Sequence, residues 1–271
     1  MRLLFVGDVV GKPGRRILAN RLDGLVDTHE IDFTIVNIEN AAGGFGVTRD
    51  VFSSLQELPI DCFTTGNHVW DKREVEGLLA DNANLLRPAN YPSAPSSAGE
   101  RAATPGVGSY VGSTASGVPV GVLNLEGRVF MKDLESPFLV ADQLVDEASR
   151  QAKVIFVDFH AEATSEKQAL GWYLDGRVSA VVGTHTHVPT ADERILPKGT
   201  AFQTDCGMTG PYESVIGMRT EKVIERFLVQ RPRPFEVAKR DVRLAAVIID
   251  IDEDTGHSRG IQRLLVREDA G

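Results

Sequence analysis

The sequence predicts an α/β fold in which a layered, sandwich-like β-sheet core is flanked by helices. Three observations carry this. Short apolar runs rich in β-branched residues recur along the chain, and segments with helical spacing of apolar positions lie between them. The 271 residues are 42% apolar and 25% charged, an ordinary globular composition with enough length for one sizeable core. Disorder, collagen and coiled coil are excluded by the same numbers.

The predicted strands are 3–6, 33–38, 62–65, 118–125, 154–159, 179–182, 200–204 and 244–251. Several are nearly continuous in hydrophobicity, as expected of strands buried on both faces beneath helices. Pro13 suits a first helical turn because its missing N–H would have no partner there, and Ile17, Leu18, Leu22, Leu25 and Val26 then recur on one face. Thr48 is a candidate N-cap for a helix carrying Val51, Phe52, Leu55 and Leu58. Ser165 to Gln168 has capping-box spacing ahead of Ala169, Leu170, Trp172 and Tyr173, and Val223, Ile224, Phe227 and Leu228 make a last amphipathic stripe. Strands alternating with helices imply α/β layers, read as one catalytic domain over 1–271. Residues 88–121 break the pattern, since half of those 34 positions are Pro, Gly or Ser. Such a stretch is a long surface loop, an irregular hairpin or a linker between two domains. An excursion within one domain is the reading adopted, because the chemistry-bearing residues lie on both sides of it.

The net charge of -9 gives no basic field that would draw the chain to duplex DNA or to an anionic membrane, so a phosphate-bearing ligand needs a local device. The opening Met1-Arg2-Leu3-Leu4-Phe5-Val6-Gly7-Asp8 meets charge before a signal-peptide core forms, and no apolar run has the roughly 18 residues of a membrane span. A cytoplasmic protein is expected. Cys62 and Cys206 lack metal-type spacing and are expected to be buried thiols.

The most informative residues are those directly after the strand runs. Run 3–6 leads into Gly7-Asp8, run 33–38 into Glu39-Asn40, run 62–65 into Gly66-Asn67-His68, run 154–159 into His160, and run 179–182 into Gly183-Thr184-His185-Thr186-His187. Strand carboxyl ends are where open α/β sheets place ligand sites. Taken singly, Asp8 is a turn or cap residue, Glu39-Asn40 a loop pair and His160 a satisfied core histidine. Together they supply carboxylates, amides and imidazoles, a mixed O/N shell suited to manganese, iron or zinc rather than to calcium or magnesium.

The order and type of these residues resemble the calcineurin-like metallophosphoesterases. Two departures, Val10 where that superfamily usually has histidine and Glu39 where it usually bridges with aspartate, resemble its bacterial YmdB-like subgroup, as do the Gly-Asp-Val-Val-Gly opening and the Asn-Ile-Glu-Asn-Ala-Ala-Gly-Gly segment at 37–44. The resemblance implies a di-metal phosphodiesterase of calcineurin-like fold, with cyclic nucleotides, 2',3'-cyclic and also 3',5'-cyclic, as substrates and iron as a frequent metal.

Roles come from two-metal chemistry, in which neighbouring ions share a carboxylate and a hydroxide that attacks phosphorus in line. Glu39 is the expected bridge. Asp8, Asn40 and His187 complete the first metal, with Asn40 in place of the histidine lost at Val10, and Asn67, His160 and His185 complete the second. Two divalent ions against two carboxylates leave a positive surplus that attracts a phosphate ester to an acidic protein. His68, beside Asn67 and spare to coordination, is the expected general acid, against a plain reading as a packed loop residue. Gly43 and Gly44 are candidates for close backbone approach to substrate, and the helix near Pro13 for N–H groups aimed at the Asp8 loop. Lys12 and Arg15 are candidate phosphate contacts, with solvated surface charge the competing reading.

Gly7 to Lys12 fails as a P-loop, being one residue short with Pro13 where Ser or Thr belongs. Asp250, Asp252 and Asp254 fail as a calcium loop because Thr255 and Ile261 hold the required glycine and glutamate positions. His29 and His257 are placed on the surface. A broad phosphomonoesterase or nuclease, and a metal-dependent nucleotide sensor without turnover, are the alternative functions; a sensor has no need of His68. A homo-oligomer is compatible with the sequence.

Overall fold

The computed structural model describes residues 1–92, 104–232 and 234–268. Two six-stranded sheets pack face to face. In the first, β1 (Arg2–Val6) runs parallel to β2 (Phe33–Asn37), and β2 parallel to β3 (Cys62–Thr64). Antiparallel to β1 lies β11 (Val242–Ile251), which also pairs with β10 (Gly210–Pro211) and β12 (Ser258–Arg267). The second sheet has order β4 (Ser109–Ser113), β5 (Pro119–Glu126), β6 (Val154–His160), β7 (Ala180–Thr184), β9 (Ala201–Gln203), β8 (Arg194–Ile195), with β5, β6, β7 and β9 mutually parallel.

Alternation along each strand explains the layering, because successive side chains point to opposite faces. Leu3 and Phe5 of β1 face the second sheet, meeting Phe33, Ile35, Val122, Val154 and Phe156 in one core between the sheets. Phe5 and Phe156 rings sit 4.8 Å apart across that gap. Leu4 and Val6 face outward to α1 (Gly11–His29) and α2 (Arg49–Gln56), while Ile155, Val157 and Phe159 face α4 (Pro137–Ala148) and α5 (Thr164–Tyr173). Both faces of the central strands are thus apolar, which is why their hydrophobicity reads as continuous.

The inner rows change character toward the strand ends. On β6 the row Val154, Phe156 continues as Asp158, His160; on β2, Phe33, Ile35 continues as Asn37; on β3, Cys62 is followed by Thr64; on β7, Val182 by Thr184. The Asp158 carboxylate accepts from Asn37 Nδ2 at 2.9 Å, Thr64 Oγ1 at 2.5 Å and Thr184 Oγ1 at 2.7 Å, so one buried group ties the two sheets together. Burial pushes its carboxyl up to about 6.

Several sequence expectations need correction. The capping box at Ser165 to Gln168 does not form: α5 begins at Thr164 after Ala163, leaving Ser165 inside the first turn, and no side chain caps it. The helix after Thr48 forms, but Thr48 makes no side-chain cap. The stripe at Val223 lies on α6 (Thr220–Val229), yet only Val223 is buried, and Phe227 and Leu228 are 72% and 78% exposed. Helices α3 (Val75–Asp81) and α4 and strands β4, β8, β10 and β12 are additions to the sequence-based set. Their amphipathic patterns are short or, in β12, split between charged and apolar residues. Within the 88–121 excursion, residues 93–103 lie outside the described residues. Its remainder supplies β4, which closes a hairpin onto β5 through the turn at Thr114 to Val118. Cys62 and Cys206 are buried and unpaired, as expected.

Asp158→Ala is expected to strand Asn37 and the two threonine hydroxyls, each lost partner costing about 1–3 kcal/mol, and so to lower unfolding free energy by roughly 3 kcal/mol in urea titrations. Arg16→Ala, which breaks the exposed Arg16–Glu268 pair at 2.6 Å, should shift it by no more than about 1 kcal/mol.

Candidate functional site

The rows that turn polar end in the predicted site residues. Asp8 comes after β1, Glu39 and Asn40 after β2, Asn67 and His68 after β3, and His185 and His187 after β7, while His160 closes β6. The structure brings all seven predicted metal ligands together at one end of the inter-sheet core, with Asp8, Glu39, Asn40, His160 and His187 buried.

Around His160 Nε2 lie Asn67 Oδ1 at 2.9 Å, His185 Nδ1 at 3.0 Å and Glu39 Oε1 at 3.1 Å. A second group places His187 Nε2 3.2 Å from Asn40 Oδ1. Asp8 adjoins both: its Oδ2 accepts from the His185 backbone N–H at 3.1 Å, and its fully buried Oδ1 has no hydrogen-bond partner among the described residues. Gly66 makes room for the first group, because a Cβ there would fall 2.3 Å from the His160 ring and 2.4 Å from Glu39 Oε2.

The proton positions are set by what surrounds each ring. His160 Nδ1–H donates to Thr184 Oγ1 at 2.9 Å, because the threonine's own hydrogen goes to Asp158. His187 Nδ1–H donates to the Ile216 carbonyl at 2.9 Å, and His185 Nε2 lies 3.1 Å from the Glu162 carboxylate. Each neutral ring therefore turns its bare nitrogen inward, toward carboxylate and amide oxygens that also carry only lone pairs. Asn40 is oriented the same way, since its Nδ2 donates to the Gly44 carbonyl at 3.0 Å and leaves Oδ1 facing His187. Acceptors facing acceptors in a buried space require a cation between them. Without a metal, a proton takes that part. Burial alone would lower His160, but the Glu39 and Asp8 carboxylates raise it to about 9, while burial and the His160 charge press His185 down to about 3. Burial opposes ionisation of Glu39, yet the His160 charge and hydrogen bond hold it at about 2. Burial raises Asp8. Glu39, His160 and His185 offer ligand atoms that all lie within 4.8 Å of one another, so the donor set fits a divalent ion.

The loop bearing the paired histidines bends sharply after β7. His185 and His187 both have positive φ, 95° and 65°. Such conformations cost about 1–3 kcal/mol each outside glycine. Asp205 holds the loop from below, accepting from Thr186 N at 3.1 Å and Thr186 Oγ1 at 2.8 Å, and it forms a buried 2.6 Å pair with Lys167 of α5. Asn67 and His68 likewise sit in a turn. His68 Nδ1 lies 2.8 Å from Asp71 Oδ2, its backbone N–H donates to Glu39 Oε2 at 3.1 Å, and its side chain is 30% exposed. His68 lines a cleft of about 690 Å³ with Glu39, Asn40, Gly44, His185 and His187. Gly43, with φ 72°, is exposed beside it. Lys12 is exposed on the first turn of α1 and does not line this cleft. The α1 terminus grips the protein itself: Gly11 N–H donates to the Asn40 carbonyl at 2.9 Å.

Sequence reading missed Asp71, Asp158, Lys167, Asp205 and Glu126. The strand-end rule, applied to runs 118–125 and 200–204 as well, points to Glu126 and Asp205. Glu126 pairs in register with His160, and both its carboxylate oxygens are sealed from solvent. Burial raises its pKa against the opposing influence of His160 and Lys132.

Two packed sheets with flanking helices, converging carboxylate, amide and imidazole groups at strand ends, are the calcineurin-like phosphatase architecture expected from the sequence. The chain belongs to the YmdB-like protein family, whose model matches residues 4–264. It is 50% identical over 270 residues to a 2',3'-cyclic-nucleotide 2'-phosphodiesterase of Bacillus subtilis, covering 99% of this chain and 98% of that one. A crystal structure of a hypothetical protein from Thermus thermophilus superposes with TM-score 0.90 at 42% identity, covering 99% and 100% of the two chains. A crystal structure of a novel phosphatase from Mycoplasma pneumoniae gives 0.89 at 35%, covering 99% and 94%. No described helix is long and apolar enough to cross a membrane.

Thr184→Val removes the acceptor that fixes His160 and should weaken metal binding by about 10–100-fold. Competition titration with a chromogenic chelator measures this, and circular dichroism should show the fold retained.

Proposed function

We propose that the chain is a metal-dependent phosphoric diester hydrolase that opens 2',3'-cyclic nucleotides at a two-ion centre. Asp8, Asn40 and His187 would hold one ion, Asn67, His160 and His185 the other, and Glu39 would be shared between them. The observation that carries this reading is the set of bare imidazole nitrogens and carbonyl or carboxylate oxygens turned on one another beneath an open cleft. The name of the Bacillus subtilis relative supports the substrate class. The mixed O/N donors suit iron, manganese or zinc. When bound, the two ions supply the positive charge that neutralises the phosphoryl oxygens and activates water for in-line attack.

The chain's own groups do the rest. Glu39 is held with Oε1 toward His160 and Oε2 accepting the His68 N–H. Asp71 fixes the His68 ring through Nδ1, which leaves Nε2 to deliver a proton to the departing ribose oxygen. Gly44 lets the chain run along the cleft wall, since a Cβ there would meet Met218 at 2.7 Å.

His68→Ala tests the acid role. It should retain both ions by elemental analysis and lose rate by about 10²–10⁴-fold on 2',3'-cyclic AMP, whose ribose oxygen is a poor leaving group. On bis-(4-nitrophenyl) phosphate, whose 4-nitrophenolate leaves without protonation, the loss should be much smaller. Equal losses on both substrates, or loss of an ion, would remove His68 from this role. Wild-type protein that is fully active with one tightly bound zinc would overturn the two-ion assignment.

A further inference from the structure

The cleft is larger than a phosphate requires, and its two ends differ in chemistry. Glu39, Asn40, His185 and His187 form the polar end; Phe45, Met218, Val223, Phe227 and Phe235 wall the other. Phe45 and Phe235 have ring centroids 6.5 Å apart with planes 31° from parallel, so they present neighbouring faces of one wall. Phe45 also meets the His68 ring edge-on at 4.9 Å, which makes the apolar wall continuous with the proposed general acid. The Arg226 guanidinium lies 4.7 Å over Phe235. Phe227 stands at the rim with 72% of its surface in water.

We propose that the apolar end is a nucleobase subsite, with Phe45 and Phe235 as stacking faces and Arg226 as the donor that favours purines. The proposal rests on the phosphodiesterase reading above and assigns the part of the substrate that does not react. A ligand that fills both ends carries an anionic phosphate at one and a group with an apolar face at the other. The cation argues against an acyl chain, because a lipid tail packed on Phe235 would desolvate Arg226 without giving its N–H groups an acceptor. A base offers a π-face to the phenylalanines and acceptors to the guanidinium: both purines present N7, and guanine adds O6, the edge to which arginine donates in pairs. The exposed Phe227 ring at the rim also gains an occupant, which a large apolar side chain at a site mouth otherwise lacks.

The test compares manganese-loaded protein on 2',3'-cyclic AMP, GMP, CMP and UMP and on ribose 2',3'-cyclic phosphate, which lacks a base. Stacking of one base corresponds to roughly 5- to 150-fold. Wild type should therefore prefer 2',3'-cyclic AMP and GMP to the base-free diester in kcat/KM by at least about 10-fold, with the pyrimidine nucleotides between. Phe235→Ala should collapse that ratio toward one, mainly through KM, and Arg226→Met should erase the purine preference. Calorimetry with adenosine, which has no phosphate, should show binding to wild type and weaker binding to Phe235→Ala. Equal kcat/KM with and without a base, or a ratio unmoved in both variants, overturns the subsite. If wild type hydrolyses none of these diesters, the phosphodiesterase reading fails, and the adenosine titration then decides the subsite: binding that Phe235→Ala weakens supports it, and binding that is absent or equal in both overturns it.

Discussion

The structure depends on how the space between its two sheets ends. Side chains from β1, β2, β5, β6 and β7 fill that space with an apolar core. One step further along the strands the same rows become Asn37, Thr64, Asn124, Asp158 and Thr184, all buried. These groups have no water to turn to and must satisfy one another. Asp158 does most of this, accepting hydrogen bonds from both sheets. Asn124 adds a second cross-tie, exchanging hydrogen bonds with the backbone of Thr65 at 3.2 and 3.0 Å. Because the polar layer fixes the separation and register of the two sheets, it also fixes the distance between Asp8, Glu39 and Asn67 on one side and His160 and His185 on the other.

The same layer sets chemistry as well as position. Thr184 passes the orientation of Asp158 to His160, and independent acceptors do the equivalent for His185 and His187. Three rings held with their bare nitrogens inward are unfavourable as a set until a cation joins them. Their stability as an arrangement comes from elsewhere, chiefly the surrounding core and the Lys167–Asp205 pair. Removing a buried charge from its partner costs about 3–5 kcal/mol. Asp205 is therefore tied to α5, and the loop hung from it can sustain two histidines at positive φ. Gly183 serves this packing, because a Cβ there would strike the Thr204 carbonyl at 1.8 Å.

The cleft combines rigid and accessible parts. The converging site residues close or directly follow strands that are locked by pairing, whereas the opposite wall comes from α6 and its flanks, where apolar side chains remain half in solvent. A site divided in this way holds reacting atoms in place while one wall stays free to meet the ligand.

The sequence by itself determined which residues meet. Strand runs are recognisable because both faces of a central strand are apolar, and a chemistry-bearing residue after such a run is carried to the strand end. Asp8, Glu39, Asn40, Asn67, His160, His185 and His187 are legible for that reason. The calcineurin-like class is legible because their order along the chain is the order in which the strands present them. Only the tertiary structure decided how they are held. Whether His160 offers Nδ1 or Nε2 depends on Thr184, which depends on Asp158, which depends on Asn37 and Thr64 from the other sheet. No local pattern encodes a contact between residues 121 positions apart such as Asn37 and Asp158. The left-handed backbone at His185 and His187 is likewise a product of packing, because the loop hangs from Asp205, which is itself paired with Lys167 of α5.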